Sequence, residues 1–424
     1  MLHQRKSHSR TALVLAICVL TALGFEQMPT PARADQWFGT DGQTAWGVQL
    51  KNWNQNAKSL ALAKQAGATY VRRGFIWGAV EKAAGHYDFR GYDKFVTEAE
   101  QQGLHIVACI ALGNDKVHPP VTTTAGRAAY ARYAAALAKR YQGKKIIWEL
   151  WNEPNTQTFW GKHARHNSKQ FADEYTALVK AAAKAIKAAD PKAIVVAGAV
   201  SNLWAPSYTW QKWCFANGIL DSGIDGWSLH PYGFKRPEAY FEAYAKVRSM
   251  LAAAGKPNFP LLNSERGFKP QFKQCNTKDP ACAYKLQTRY LIRQLLVDQA
   301  TDMELSIWYE WSGKDGFALY DTPNQKAMLN ALDVVQKELK GYSFVKRIPL
   351  NKPEHYALRY EQPGKPAKLV VWAEDNRPAD IQLPLTTHQT VQVVDMNGKR
   401  QVLKPAPTGQ VSLRIRGRPR YITL

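Results

Sequence analysis

Short apolar runs and longer amphipathic segments alternate along most of this chain, and this alternation restricts its fold more than any other feature. The apolar runs predict eight β-strands, at residues 45–50, 70–75, 105–111, 145–150, 193–199, 226–230, 260–264 and 304–309. Amphipathic helices are predicted between them, at 56–66, 125–141, 168–189, 238–254, 283–299 and 324–340. Eight such units over about 250–300 residues predict a closed (β/α)₈ barrel. An open doubly wound sheet is the alternative, but no G-x-G-x-x-G motif opens the first β–α turn.

The pattern changes after residue 341. Helical periodicity stops there, and short β-rich segments separated by Pro, Asn and Gly follow, at 368–373, 391–395, 411–415 and 420–424. This part predicts a β-sandwich that packs on the barrel. We therefore predict three parts in the chain, namely a signal peptide at 1–34, the barrel at 35–341 and a C-terminal β-sandwich at 342–424.

The first part has the features of a secretory leader. Basic residues precede an apolar stretch at 12–25, and the small-residue motif Ala32-Arg33-Ala34 provides a cleavage site. The stretch is short for a membrane span. We expect export to the periplasm or the cell exterior without stable membrane insertion; an uncleaved N-terminal anchor is the alternative. In an exported protein, Cys275 and Cys282, which flank a polar loop, are expected to form a disulfide.

Two of the apolar runs end on a glutamate. The segment IIWELWNEPN at 146–155 leads to Glu153, and PLLNSERGF at 260–268 leads to Glu265. Burying a carboxylate costs free energy, so a chemical role is expected at both positions. They follow the fourth and seventh predicted strands, whose carboxyl ends meet at the barrel mouth, where active sites of this architecture lie. Two such carboxylates are the catalytic groups of a glycosidase, which is retaining at a separation of about 5–5.5 Å and inverting at about 6.5–9.5 Å.

Other polar and aromatic residues fall at the predicted strand ends. Arg72 is the expected cationic neighbour of Glu265, and the hydroxyl of Tyr232 is expected to orient the same carboxylate. Trp311 is expected to form the floor under the reacting sugar, and Trp160 to line a neighbouring subsite. The predicted substrate contacts are Arg72, Asn114, Asn152, Trp160, His230, Tyr232 and Trp311.

These segments together resemble clan A glycoside hydrolases, most closely family 39 and its bacterial relatives encoded with exopolysaccharide genes. The matching segments are VRRGFIW (71–77), LGN (112–114), WNEPN (151–155), SLHPY (228–232), LLNSERGF (261–268) and WYEWSG (308–313). The resemblance implies a (β/α)₈ barrel with a C-terminal β-sandwich, Glu153 as the acid/base and Glu265 as the nucleophile. It also places Arg72, Asn152, His230, Tyr232 and Trp311 at the subsite of the reacting sugar.

The chain departs from that family pattern at two places. Ser264-Glu265-Arg266-Gly267 stands where the family more often has T-E-F or T-E-x-G, and Glu310 stands where an aspartate is more common. Glu310 is also a third carboxylate at the predicted rim and therefore a rival to Glu265. Neither departure changes the two catalytic groups, but both leave the substrate open.

The predicted function is a retaining glycosidase that cleaves a β-linked polysaccharide, endo-acting and directed at a bacterial exopolysaccharide. The net charge of +23 favours an anionic polymer or a membrane surface, although a dispersed charge without a binding role fits equally well. No nucleic-acid-binding motif, metal site or cofactor is predicted, and we expect a monomer. The alternatives are an exo-acting β-xylosidase or uronidase-like enzyme, and a catalytically dead sugar-binding component of a polysaccharide system.

Overall fold

Eight parallel strands close into a barrel, which confirms the predicted (β/α)₈ fold. The strands are β1 Ala45–Gln49, β2 Tyr70–Ile76, β3 His105–Ala111, β4 Ile146–Leu150, β5 Ile194–Ser201, β6 Gly226–His230, β7 Leu261–Arg266 and β8 Leu305–Trp308. Each strand pairs with the next, and β1 pairs with β8, so the barrel has no free edge. The computed structural model describes residues 44–50, 56–270, 275, 280–314, 316–375 and 377–424. The predicted signal peptide lies outside these residues.

A helix follows each barrel strand along the chain. The helices are α1 Ala57–Gln65, α2 Arg90–Gln101, α3 Thr124–Arg140, α4 Lys169–Ala189, α5 Ala205–Ala216, α6 Tyr240–Ala253, α7 Pro280–Ala300 and α8 Gln325–Leu339. The sequence did not predict α2 or α5. In α5 the buried face includes Ser207 and Gln211, which obscures the apolar period. Among the described residues, no helix has both the length and the apolar character needed to span a bilayer.

The barrel interior changes from apolar to charged toward the carboxyl ends of the strands. Its lower part is filled by apolar residues, among them Tyr70, Val107, Ile147, Ile194, Leu262 and Leu305. Residues two positions apart on a strand point to the same face. Arg72 lies two residues after Tyr70 on β2, and Glu149 lies two residues after Ile147 on β4, so both point into the barrel on the side of its mouth. Both are almost fully buried, so the floor of the barrel mouth carries an ion pair.

The C-terminal region forms two antiparallel sheets, as predicted. Its strands are β9 Ser343–Arg347, β10 His355–Glu361, β11 Lys368–Ala373, β12 Ala379–Thr386, β13 Val391–Asp395, β14 Arg400–Leu403, β15 Gln410–Ile415 and β16 Arg420–Thr423. One sheet has the order β9-β10-β11-β16-β13-β14, and β12 pairs with β15 in the other. Alternate residues of both sheets form a separate apolar core that includes Leu369, Val371, Ile381, Val411 and Leu413. Cys275 and Cys282 form the predicted disulfide, with 6.0 Å between their Cα atoms.

A buried ion pair joins the barrel to the sandwich. Glu238, in the turn between β6 and α6, pairs with Arg293 of α7, and the two side chains are 1% and 0% exposed. The indole of Trp372 on β11 donates to the same carboxylate over 2.8 Å, and Arg293 Nη2 donates to the Glu374 carbonyl over 2.9 Å. The sandwich therefore contacts the segment that leads away from the carboxyl end of β6.

We expect Glu238→Gln to destabilise the protein by about 3–5 kcal/mol, because it leaves the buried Arg293 guanidinium without its carboxylate partner. Asp333→Asn is the matched control, since Asp333 pairs with Lys337 on the exposed face of α8. That substitution is expected to cost less than about 0.5 kcal/mol. Equilibrium unfolding in urea measures both values. Equal stability of the two variants would contradict the expected role of the ion pair.

Candidate active site

Glu153 lies in a tight turn directly after β4. Trp151 and Glu153 both have positive φ angles, 70° and 45°, which non-glycine residues adopt at a cost and mostly at functional sites. The turn is fixed by Thr156, whose backbone N–H and hydroxyl both donate to the Glu153 carbonyl at 3.0 and 2.9 Å. Asn155 exchanges two hydrogen bonds with the backbone of Ser201 at the end of β5. The Glu153 side chain is held at the mouth with 13% of its surface exposed.

Glu265 reaches the mouth through an irregularity in β7. Asn263 pairs with Ser306 and Arg266 pairs with Trp308, so three steps along β7 match two along β8. Such a bulge changes the face to which the following side chains point. As a result, Glu265 contacts residues of the mouth, while Arg266 Nε donates to Tyr240 of α6 over 2.8 Å.

The two glutamates face each other across the mouth. One carboxylate oxygen of Glu153, one of Glu265 and a ring nitrogen of His230 all lie within 4.8 Å of one another. Nearest oxygens no more than 4.8 Å apart fit carboxyl groups spaced about 5–5.5 Å, as in retaining glycosidases, better than the 6.5–9.5 Å spacing of inverting enzymes. These atoms could in principle share a cation, but the Arg72 guanidinium lies 2.7 Å from Glu265 and disfavours a second positive charge there.

The Arg72 guanidinium hydrogen-bonds to four polar side chains at the floor of the mouth, one of which is Glu265. It donates to Glu149 over 2.6 Å, to Gln49 over 3.0 Å, to Asn152 over 2.9 Å and to Glu265 over 2.7 Å. Such charge-assisted bonds from a buried, planar guanidinium fix the orientation of the carboxylate. Glu265 is thereby held in place on one of its two oxygens.

Opposite effects act on the pKa values of the Arg72–Glu149 pair. Burial alone would lower the pKa of Arg72, but the carboxylates of Glu149 and Glu265 raise it further than burial lowers it. Burial alone would raise the pKa of Glu149, and the Arg72 charge, assisted by His230, lowers it instead. Both groups therefore stay ionised at neutral pH. A permanent positive charge remains next to Glu265.

His230 and Tyr232, at and just beyond the end of β6, contact one glutamate each. His230 Nδ1 lies 3.1 Å from Glu153 Oε1, and the Tyr232 hydroxyl donates to Glu265 Oε1 over 3.1 Å. Burial, with the nearby Glu265 charge, raises the pKa of Tyr232 well above its usual range. The hydroxyl therefore keeps its proton and remains a donor. The Arg266 guanidinium packs 4.9 Å from the centre of the Tyr232 ring.

We expect Tyr232→Phe to lower kcat/KM by about 10–100-fold, because a hydrogen bond to a charged group contributes about 1.5–3 kcal/mol. Tyr342→Phe is the matched control, since its hydroxyl donates to the Pro366 carbonyl in the C-terminal region. Steady-state hydrolysis of a chromogenic β-glycoside compares the two variants. If kcat/KM of Tyr232→Phe equalled that of Tyr342→Phe, the hydrogen bond from Tyr232 to Glu265 would not contribute to catalysis.

A cavity of about 290 Å³ opens at the mouth on the side of β1, β2 and β3. The structure brings Arg72, Asn152, Glu153 and Glu265 together on its wall, and His230 and Tyr232 contact the two glutamates. Residues that the sequence analysis did not select also line it, namely Gln49, Phe159 and Tyr309. The cavity thus contains both carboxylates, several hydrogen-bonding groups and two aromatic rings.

Five of the seven predicted substrate contacts are not on the wall of this cavity. His230 and Tyr232 contact the two glutamates, and the other three are buried against other partners. Asn114 is buried and donates to the Glu81 carbonyl over 2.8 Å, so it supports the loop after β3. Trp160 is buried against Trp151, and its indole donates to Glu174 over 2.8 Å. Trp311 is fully buried and stacks on Tyr320. These placements differ from the predicted subsite, because Asn114, Trp160 and Trp311 are buried, whereas Phe159 and Tyr309 line the cavity.

Glu310 does not compete with Glu265 for the position opposite Glu153. Its side chain is fully buried, and a Cβ built on Gly313 would lie only 1.9 Å from Glu310 Oε1. The carboxylate therefore points under the loop that follows β8, and it is absent from the cavity wall.

The sequence analysis also missed Glu149. This residue interrupts the apolar run IIWELW two positions after Ile147, and an acidic residue inside a buried strand was a visible signal for a buried cation. Tyr309 gave no comparable signal, because it stands among other aromatic residues. Gln49 interrupts an apolar run between Val48 and Leu50, but an uncharged amide is a weaker signal than a buried carboxylate.

Comparison with known families and structures supports the assignment of this chain to the clan A glycoside hydrolases. The family model described as Cellulase (glycosyl hydrolase family 5) matches residues 25–290. This family and the structural neighbours confirm the resemblance to clan A. No curated protein sequence matches the chain significantly.

Solved structures share the fold at low sequence identity. A family 39 glycoside hydrolase from Bacteroides cellulosilyticus WH2 is 20% identical, with a TM-score of 0.69 over 91% of this chain and 81% of that protein. A monomeric β-xylosidase from Caulobacter crescentus CB15 is 15% identical, with a TM-score of 0.62 over 90% of this chain and 96% of that protein. A family 30 endoxylanase from Clostridium papyrosolvens C71 is 13% identical, with a TM-score of 0.61 over 90% and 96%.

Proposed function

The chain belongs to the cellulase family, glycosyl hydrolase family 5, and is an O-glycosyl hydrolase; from this premise we propose that it cleaves a β-linked polysaccharide by double displacement with retention of configuration. The observation that carries the proposal is the approach of Glu153 and Glu265 to within 4.8 Å at the barrel mouth. An inverting mechanism needs room for a water molecule between one carboxylate and the sugar. The gap between Glu153 and Glu265 is too narrow to hold the sugar and that water molecule together.

In the first step, a Glu265 oxygen attacks the anomeric carbon while the bond to the leaving oxygen breaks. Glu153 gives its proton to that oxygen and becomes a carboxylate. Arg72 and Tyr232 hold the attacking carboxylate, so its orientation is set before the substrate arrives. The products of this step are a glycosyl ester on Glu265 and a released sugar chain with a free hydroxyl.

In the second step, the Glu153 carboxylate takes a proton from water as the water oxygen attacks the anomeric carbon. The ester bond to Glu265 breaks, and Glu265 returns to its ionised form. Two inversions at one carbon leave the configuration as it was. The contact between His230 and Glu153 keeps the acid/base group directed into the mouth in both steps.

The more specific part of the proposal is endo-cleavage of a bacterial exopolysaccharide by an exported monomer. The family resemblance supports an exopolysaccharide as substrate, and the net charge of +23 of the full chain supports an anionic one. The leader sequence and the disulfide between Cys275 and Cys282 support an oxidising compartment. The neighbours include both an endoxylanase and a β-xylosidase, so exo-cleavage is the rival.

Product sizing separates these alternatives. The mature protein is incubated with xylan, mixed-linkage β-glucan and β-linked polymannuronate, and the products are resolved by size over time. Early oligosaccharides of mixed length support endo-cleavage, while release of monosaccharide alone decides for the exo-enzyme. Preference for the uronate polymer that disappears at high salt would give the positive charge a binding role. Failure to cleave any β-linked glycan would overturn the proposal.

A further inference from the structure

We propose that Trp204 is a sugar-binding platform on the β5 side of the catalytic pair, which holds a unit of a β-linked glycan beyond those at the scissile bond. This inference rests on the proposed glycosidase function and deepens it, because it defines a second region that the polymer occupies.

Trp204 differs from the other tryptophans of the described chain in being exposed. It has 55% of its surface accessible, whereas Trp77, Trp210, Trp227, Trp308 and Trp311 are fully buried. The other exposed large apolar side chains in the described residues, Val402 and Leu424, lie in the C-terminal sandwich. A large aromatic ring in water loses the stabilisation that burial provides. The apolar C–H face of a pyranose can cover such a ring and leave the sugar hydroxyls in solvent.

Trp204 lies close in sequence to residues that contact the catalytic glutamates. Ser201 at the end of β5 pairs with His230 on β6, and the next residue, Asn202, donates its N–H to the His230 carbonyl over 3.0 Å. His230 in turn lies 3.1 Å from Glu153. Trp204 is two residues beyond Asn202, so their Cα atoms are at most about 7.6 Å apart. The backbone of Trp204 therefore lies at the same rim of the barrel as the acid/base glutamate.

The backbone that carries the ring is fixed. The Trp204 N–H donates to the Ser207 hydroxyl over 3.1 Å, and that hydroxyl donates to the Trp204 carbonyl over 3.0 Å. The Tyr208 N–H also donates to the Trp204 carbonyl, at 3.0 Å. A rigid main chain with an exposed ring loses little entropy when a ligand stacks on it.

The order of the barrel strands places the cavity and the segment of Trp204 on opposite sides of the catalytic pair. The described residues of the cavity wall come from the ends of β1, β2, β3, β4, β7 and β8. In the closed barrel, β5 lies beyond β4 on the other side. A glycan that fills the cavity and stacks on Trp204 must cross Glu153 and Glu265 between the two. This arrangement suits a chain cut internally.

The test compares four proteins on a polymer and on a small substrate. The wild type, Trp204→Ala, Trp204→Phe and Val402→Ala are assayed on a polymer and on a para-nitrophenyl β-glycoside. The polymer is whichever of xylan, mixed-linkage β-glucan and β-linked polymannuronate the wild type cleaves fastest. Val402→Ala is the control because it also removes an exposed apolar side chain, but in the C-terminal sandwich.

We expect Trp204→Ala to lower kcat/KM on the polymer by roughly tenfold and to leave hydrolysis of the aryl glycoside within about twofold of the wild type. Trp204→Phe should retain most polymer activity, and Val402→Ala all of it. Polymer cleavage by Trp204→Ala at the wild-type rate, or an equal loss on both substrates, would overturn the platform.

The same experiment separates this inference from the proposed function. A wild type that cleaves the polymer alongside an unaffected Trp204→Ala would remove only the platform. A wild type that cleaves neither substrate would overturn the proposed function. In that case affinity electrophoresis in the same polymer still decides, because retardation of the wild type but not of Trp204→Ala supports the platform, and equal mobility contradicts it.

Discussion

Glu265→Ala is expected to lower kcat by about 10⁴–10⁶-fold, because the variant has no carboxylate to form the glycosyl ester. Arg72 would keep its bonds to Glu149, Gln49 and Asn152, so the floor of the mouth should remain intact. Near-wild-type circular dichroism and urea unfolding would verify this. The measurement is steady-state hydrolysis of an activated aryl β-glycoside.

Azide provides a sharper test of the role of Glu265. In the space vacated by the side chain, azide can attack the anomeric carbon from the face that the carboxylate used. A single displacement then gives the α-glycosyl azide and restores part of the rate. Wild-type activity in Glu265→Ala, or rescue that yields the β-azide, would assign the nucleophile to another residue.

Glu153→Ala is expected to lower kcat/KM on polysaccharide by about 10²–10⁴-fold, which is the usual contribution of general acid–base catalysis. The loss should depend on the leaving group. A dinitrophenyl glycoside needs little protonation to depart, so kcat/KM for its cleavage should fall far less. The comparison of these two substrates in the same variant is the measurement.

The outcome with azide should differ between the two glutamates. In Glu153→Ala the ester on Glu265 still forms, and azide then displaces it in place of water to give the β-glycosyl azide. An equal loss on activated and unactivated substrates would show that Glu153 acts in some way other than proton transfer.

The barrel was predictable because its strands are buried on both faces and therefore read as continuous apolar runs. The bounds of β3 and β6 agree with the sequence prediction at both ends. The helix α5 was missed because it buries polar residues, so its apolar face is not continuous in sequence. The hydrophobic pattern of the sequence predicts a helix or strand when its buried residues are all apolar. It fails to predict the element when polar residues share the buried face.

The two glutamates were predictable, but parts of the surrounding subsite were not. Glu153 and Glu265 stand out because each follows an apolar run. Phe159 and Tyr309 line the cavity instead of the larger Trp160 and Trp311. Which aromatic of such a group faces the cavity depends on loop geometry that the sequence does not show.

The orientation of Glu265 was also beyond the sequence. It depends on the bulge between β7 and β8, which is a property of strand pairing and not of either strand alone. In a regular strand, Ser264 and Glu265 would point to opposite faces. Residue type therefore identified the carboxylate, while pairing across the sheet determined which way it faces.

The anomeric configuration of the first product tests the central claim most directly. Hydrolysis of a β-linked substrate by the purified protein is followed by ¹H NMR in the first minutes, before mutarotation equilibrates the anomers. The spacing of Glu153 and Glu265 predicts that the β-anomer appears first. Initial appearance of the α-anomer would contradict the double-displacement mechanism and the roles assigned to both glutamates.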